Sequence, residues 1–88
     1  MTVSAGFLER VVASPRGIEV EGWASDPDGP ARLVLEASGL RMPVLANRWR
    51  IDLDRAGLPA AGFRAVLPAW AGVPHVRRDD GTALPRLG

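Results

Sequence analysis

The chain has 88 residues, enough for one small domain and one core, and a domain of this size withdraws only somewhat over ~60% of its unfolded surface from water. It contains no cysteine and one histidine, which excludes disulfides and a structural zinc site and leaves hydrophobic packing to carry the fold. Eleven arginines against ten acids leave a net charge of +1; the pI near 9 reflects the absence of Lys, Tyr and Cys to titrate above neutrality, so the cationic excess of a nucleic-acid binder is missing.

Eight prolines and ten glycines punctuate the chain every eight to twelve residues, and no apolar stretch between them keeps helical spacing for three turns. Short strands are therefore predicted. The first runs from Phe7 to Ala13 and stops at Ser14-Pro15-Arg16-Gly17, where proline presets its dihedral and glycine accepts a positive one. The second runs from Ile18 to Ala24, with Ile18 and Val20 on a buried face and Glu19 and Glu21 on a wet one. Trp23 falls on the side of the glutamates, so it either covers a sheet edge or is re-aimed by a bulge.

After the dense turn Asp26-Pro27-Asp28-Gly29-Pro30, a third strand from Ala31 to Ala37 sends Leu33, Leu35 and Ala37 inward. Ser38-Gly39 has the form of a two-residue hairpin into a fourth strand, Leu40 to Ala46, where Pro43 cannot donate a ladder hydrogen bond and marks an edge. One helical turn is predicted near 51–56, with Asp52 accepting backbone donors at its start and Gly57 closing it. Phe63 to Leu67 returns to alternation with Phe63, Ala65 and Leu67 inward, and Val73 to Arg78 and Thr82 to Leu84 flank Asp79-Asp80-Gly81 as a last hairpin. The prediction is all-β: a single domain over 1–88, a β-sandwich of about seven strands with immunoglobulin-like topology.

Three segments carry a resemblance. Gly22-Trp23-Ala24-Ser25-Asp26-Pro27, Arg48-Trp49-Arg50-Ile51-Asp52-Leu53 and Gly62-Phe63-Arg64-Ala65-Val66-Leu67-Pro68 resemble, in order and spacing, a family of small bacterial β-sandwich modules found beside glycosyltransferase, sulfotransferase and Hint-type self-processing domains. The likeness spans about Ile18 to Pro85. It implies an immunoglobulin-like topology and an accessory role, and imports no ligand. Family members more often carry tyrosine or proline near Trp49 and Ile51. The module is expected to be the entire protein here, with no catalytic neighbour in cis.

Chemistry-bearing residues are few. No serine sits in a glycine-rich elbow and no nucleophile has a base beside it, so the expectation is a chain without enzymatic activity, cofactor or metal. His75 reads as a strand residue. Asp26 and Asp28 before Gly29 resemble the opening of a calcium loop, but the carboxylates such a loop needs further on are missing, and Asp-Pro and Asp-Gly are ordinary turn pairs. Arg48, Arg50, Asp52 and Asp54 could form a site for a carboxylate, phosphate or sulfate, which arginine's planar fork suits, or satisfy one another. Arg50 and Asp52 are expected to pair and pin the connection to the sheet, and Trp23 and Phe63 are also expected to be structural. Arg48 is freer.

Trp49 and Trp70, in connections, and Arg48 are the candidate ligand contacts: an exposed indole can stack on the apolar side of a sugar ring while charged groups bond its hydroxyls. A binding or accessory module associated with glycans is the first expectation. The alternative is a structural or adaptor protein that binds another protein, or a second copy of itself, through edge strands and exposed tryptophans. Neither nucleic acid nor membrane is an expected partner. With no apolar run fit for a signal peptide or a span, the chain is expected to be cytoplasmic or exported without a cleaved leader.

Overall fold

The computed structural model describes residues 5–26, 29–58 and 60–86. Pro27 and Asp28, used above in the turn and cation readings, lie outside the described residues. Among the described residues six strands are formed: β1 (Gly6–Ser14), β2 (Gly17–Ala24), β3 (Ala31–Ala37), β4 (Leu40–Ala46), β5 (Gly62–Leu67) and β6 (His75–Arg78), with a short helix α1 (Ile51–Arg55) and a 3-10 turn at Ala69–Ala71. They build two antiparallel three-stranded sheets, in the orders β1-β2-β5 and β4-β3-β6. The protein is an all-β sandwich.

The predicted seventh strand, Thr82 to Leu84, shrinks to a single antiparallel bridge between Arg77 and Ala83, supported by Leu84 N–H donating to the Val76 carbonyl. The chain then leans the other way: Leu8 N–H donates to the Pro85 carbonyl, beside a parallel bridge between Leu8 and Arg86 that links the two sheets. The strand predicted from Val73 begins instead at His75, because Pro74 has no N–H for the ladder. With the bridge at Ala83 counted, the arrangement corresponds to immunoglobulin strands A-B-E facing C′-C-F-G.

The alternation read from the sequence becomes the two inner faces. Val20 from β2, Leu33 and Leu35 from β3, Leu67 and Phe63 from β5, Val76 from β6 and Leu8 from β1 form one buried cluster. Six alanines at or near strand ends, among them Ala24, Ala31 and Ala46, are buried too, which lets the sheets approach closely without large side chains at their rims. Strand β4 is an edge strand with Pro43 exposed on it. The Ser38-Gly39 connection has φ of 48° and 80°, the paired positive values that a two-residue I′ turn demands and that glycine adopts without strain.

The β4–β5 connection carries α1 and needs its own closure. Gly57, at φ 79°, lets its N–H reach the Asp54 carbonyl while Leu58 N–H reaches that of Leu53, the paired bonds of a Schellman motif. At the other terminus no side chain caps the helix. The Asp52 carboxylate is bound chiefly to the Arg50 guanidinium, and the backbone donors at the helix start contribute less to its depressed pKa. A bidentate ion pair outcompetes a cap bond for the same oxygens because both partners are charged.

Candidate functional site: an indole groove on the β1-β2-β5 sheet

The outer face of the β1-β2-β5 sheet is ordered in rows by its register. Phe7, Trp23 and Gly62 share the first row, and Arg10, Glu21 and Arg64 the second; Val12, Glu19 and Val66 form the third. In the first, Trp23 is half-buried and meets Phe7 edge-to-face, with ring centroids 6.1 Å apart at 62°. Trp23 therefore stays on the glutamate side of β2, and the bulge lies on the neighbouring strand, between Leu8 and Arg10. Across the lower rows the charges alternate: Arg64 pairs with Glu19 at 3.0 Å and Glu21 at 3.5 Å, and Arg10 stands 4.0 Å from Glu21. The Glu19 carboxyl is held below its ordinary range by a hydrogen bond with Ser14 and, after it, by Arg64.

The connection after β4 is laid against this face. Arg48 and Gly62 exchange both backbone hydrogen bonds, 2.8 and 2.9 Å, which fixes the main chain of Arg48 beside the start of β5. Arg50 then crosses the sheet. Its aliphatic stem lies on Gly62, where a Cβ would stand 2.7 Å from its Cδ, so glycine is the residue that leaves room for it. The guanidinium bonds both Asp52 oxygens, at 3.0 and 2.7 Å, donates to the Gly22 carbonyl at 3.4 Å, and pairs with Glu9 in a short contact. These partners raise the Arg50 pKa still further, Glu9 more than Asp52.

Glu9 is the residue that the sequence reading missed. The signal was present: strict alternation from Leu8 would send Arg10 into the core and Val11 into water, and the extra residue of a bulge at Glu9 removes that conflict while freeing Glu9 to reach Arg50. Replacing Arg50 by glutamine should lower stability by about 1 kcal/mol, a charged hydrogen-bond figure discounted for partial exposure. Acid should erase part of that difference. The Asp52 pKa is lowered in the fold, so its contribution is complete above the ordinary value of 3.8 and disappears as pH falls through the lowered value. Thermal melts of the two proteins should therefore lie closer together near pH 2.5 than at pH 7.

Between Arg48 and Arg50, Trp49 is left 64% exposed. It lines a groove of about 270 Å³ together with Glu21, Arg48, Arg50, Gly62, Phe63 and Arg64. That is below the ~300 Å³ at which enclosed small-molecule pockets begin, and suits one ring lying against the indole. Phe63 contributes at the floor, with its ring turned into the core. Two of the three arginines are spoken for: Arg50 by Glu9 and Asp52, Arg64 by Glu19 and Glu21. Among the described residues Arg48 has no ion pair and no side-chain hydrogen bond.

The other candidates lie elsewhere. Trp70 is 66% exposed in the 3-10 turn that follows β5, whereas Trp49 sits at the start of that strand, so six strand residues, roughly 17 Å, separate the two ends. The two exposed indoles do not share a site. His75 is exposed at the start of β6, opposite Glu36. A depression of about 390 Å³ lined by Asp26, Pro30, Arg32, Leu45 and Asp79 lies at the end of the β4-β3-β6 sheet and contains no aromatic ring. Among the described residues no group of three or more metal-ligating side chains forms, and no helix is long and apolar enough to cross a membrane.

Fold and groove together define a small immunoglobulin-like β-sandwich with an exposed indole on the outer face of one sheet. No protein-family model matches the chain, and no solved structure matches it. It is similar to part of a methionyl-tRNA formyltransferase from Paracidovorax citrulli (strain AAC00-1), 33% identical over 73 residues that take in 76% of this chain and 22% of that protein. The chain thus spans about a fifth of the length of this relative. The similarity corrects the expectation of a chain without enzymatic activity: most of this sequence is related to a portion of an enzyme.

Proposed function

We propose that this domain binds carbohydrate through the Trp49 groove, as an accessory part of an enzyme system. The observation that carries the reading is the exposure of the Trp49 indole beside Arg48, Glu21 and Arg64, so that one flat apolar surface is ringed by groups able to bond hydroxyls. The residues on either side of the indole are held, Arg48 by its main-chain bonds to β5 and Arg50 by Glu9 and Asp52. Such preorganisation lowers the ordering cost of binding.

The test follows the three indole N–H signals by two-dimensional NMR during titration with bacterial polysaccharide fragments. Trp49 should shift and saturate while Trp23 and Trp70 stay still. Trp49→Ala should weaken binding at least about tenfold with the other two signals retained, the loss expected of an aromatic anchor. A Trp49 signal unmoved by every sugar overturns the reading, and unmoved indoles with tumbling too slow for a monomer would point to self-association instead.

The likeness to a formyltransferase favours a second reading, in which the domain belongs to an enzyme acting on methionyl-tRNA and the indole stacks on a nucleotide base. The same titration with methionyl-tRNA separates the two. Shifts of Trp49 with RNA and with no sugar would put the second in place of the first.

A further inference from the structure

We propose that the groove selects an acidic sugar, one bearing a carboxylate or sulfate, and that Arg48 is the residue that reads the anion; this rests on the carbohydrate reading above. The argument is one of occupancy. A guanidinium recognises an oxyanion through its planar fork of donors, and a fork already engaged by carboxylates has little left to offer. Arg50 is bonded to Glu9, Asp52 and the Gly22 carbonyl, and Arg64 bridges Glu19 and Glu21. Arg48 alone of the groove's three arginines is uncommitted among the described residues, and its main chain is held by the pair of backbone hydrogen bonds with Gly62.

Charge balance makes this one residue decisive. The paired network under and around the groove consists of Arg10, Arg50 and Arg64 against Glu9, Glu19, Glu21 and Asp52, three cations facing four anions. Without Arg48 this network would carry a net charge of −1 and disfavour an acidic ligand. With it the network is neutral, and among the described residues the one unpaired charge lining the groove is a cation beside the indole. A neutral sugar would use Trp49 and hydroxyl contacts alone; an acidic one gains the fork of Arg48 and relieves that cation of its lone position.

The experiment is calorimetric titration with three probes of one backbone: a galactose trisaccharide, the galacturonic acid trisaccharide and a sulfated galactose trisaccharide, each at 20 and 300 mM salt. The wild type should bind one or both acidic probes at least tenfold tighter than the neutral one, with the preference shrinking at high salt. The carboxylate and sulfate arms tell which anion is read. In Arg48→Gln the ratio of acidic to neutral affinity should fall to about one, and in Arg48→Lys a salt-sensitive preference should survive. Retained Trp23 and Trp70 signals check the fold of each variant. Equal affinity of the wild type for all three probes overturns the inference and leaves carbohydrate binding standing, as does an undiminished ratio in Arg48→Gln. Failure of every probe to bind overturns this inference, and the carbohydrate reading falls with it when Trp49 is also unmoved by every polysaccharide fragment.

Discussion

Gly22→Val should destabilise the domain by ~3 kcal/mol or more, at the upper end of overpacking substitutions, and lower the melting temperature by more than about 10 °C. Gly22 is buried in β2, opposite Leu8 on one side and Phe63 on the other. A Cβ there would stand 2.8 and 2.9 Å from two carbons of the Phe63 ring and closer still to the carbonyl oxygen of Phe7. The ring can turn; the carbonyl cannot move without pulling β1 off β2. Combining Gly22→Val with Phe63→Leu should therefore restore only part of the loss, measured by thermal melting of the single and double variants. A melting temperature for Gly22→Val within 2 °C of the wild type would show that β1 has slack which its register does not suggest.

Leu35→Ala should cost ~3 kcal/mol, within the 2 to 5 kcal/mol usual for such truncations, because the side chain is wholly withdrawn from solvent on the central strand of its sheet. Neighbours on both sides, β4 and β6, hold the backbone in place, so the cavity cannot easily collapse. For a domain whose total stability should be ~5 to 13 kcal/mol, this approaches the point of unfolding at physiological temperature. Leu45→Ala, on the exposed face of edge strand β4 with the side chain 49% exposed, should change stability by less than ~0.5 kcal/mol. Urea titrations of the two variants would separate them; equal midpoints would mean that the inner face of β3 does not pack as the structure has it.

Much of the site is readable one residue at a time and almost none of it as an arrangement. Trp49 and Arg48 stand out because an aromatic between arginines in an irregular connection is unusual in a chain with five aromatic residues. Asp52 can be proposed as the partner of Arg50 because the two are near in sequence. Glu9 cannot, since it is 41 residues away and reaches Arg50 only after β1 bulges beside β2. Trp70 shows the converse: its sequence context is as suggestive as that of Trp49, yet chain reversal at both ends of β5 puts the two indoles at opposite ends of the sandwich.

Six of the seven predicted strands are present among the described residues, because period-2 alternation and Gly/Pro turn chemistry are local properties: β3 and β4 have the predicted bounds, and α1 falls within the predicted turn. The same period marks the inward residues of β2, β3 and β5 and fails in β1, where the bulge at Glu9 shifts it. Long-range packing set the rest: Thr82 to Leu84 shrinks to a bridge, Glu9 joins Asp52 in the Arg50 clamp, and Arg48 has no carboxylate partner among the described residues. Those outcomes depend on strand register and on which charges compete for the same partner. Such pairings link residues dozens of positions apart, and a periodic pattern carries no information about them.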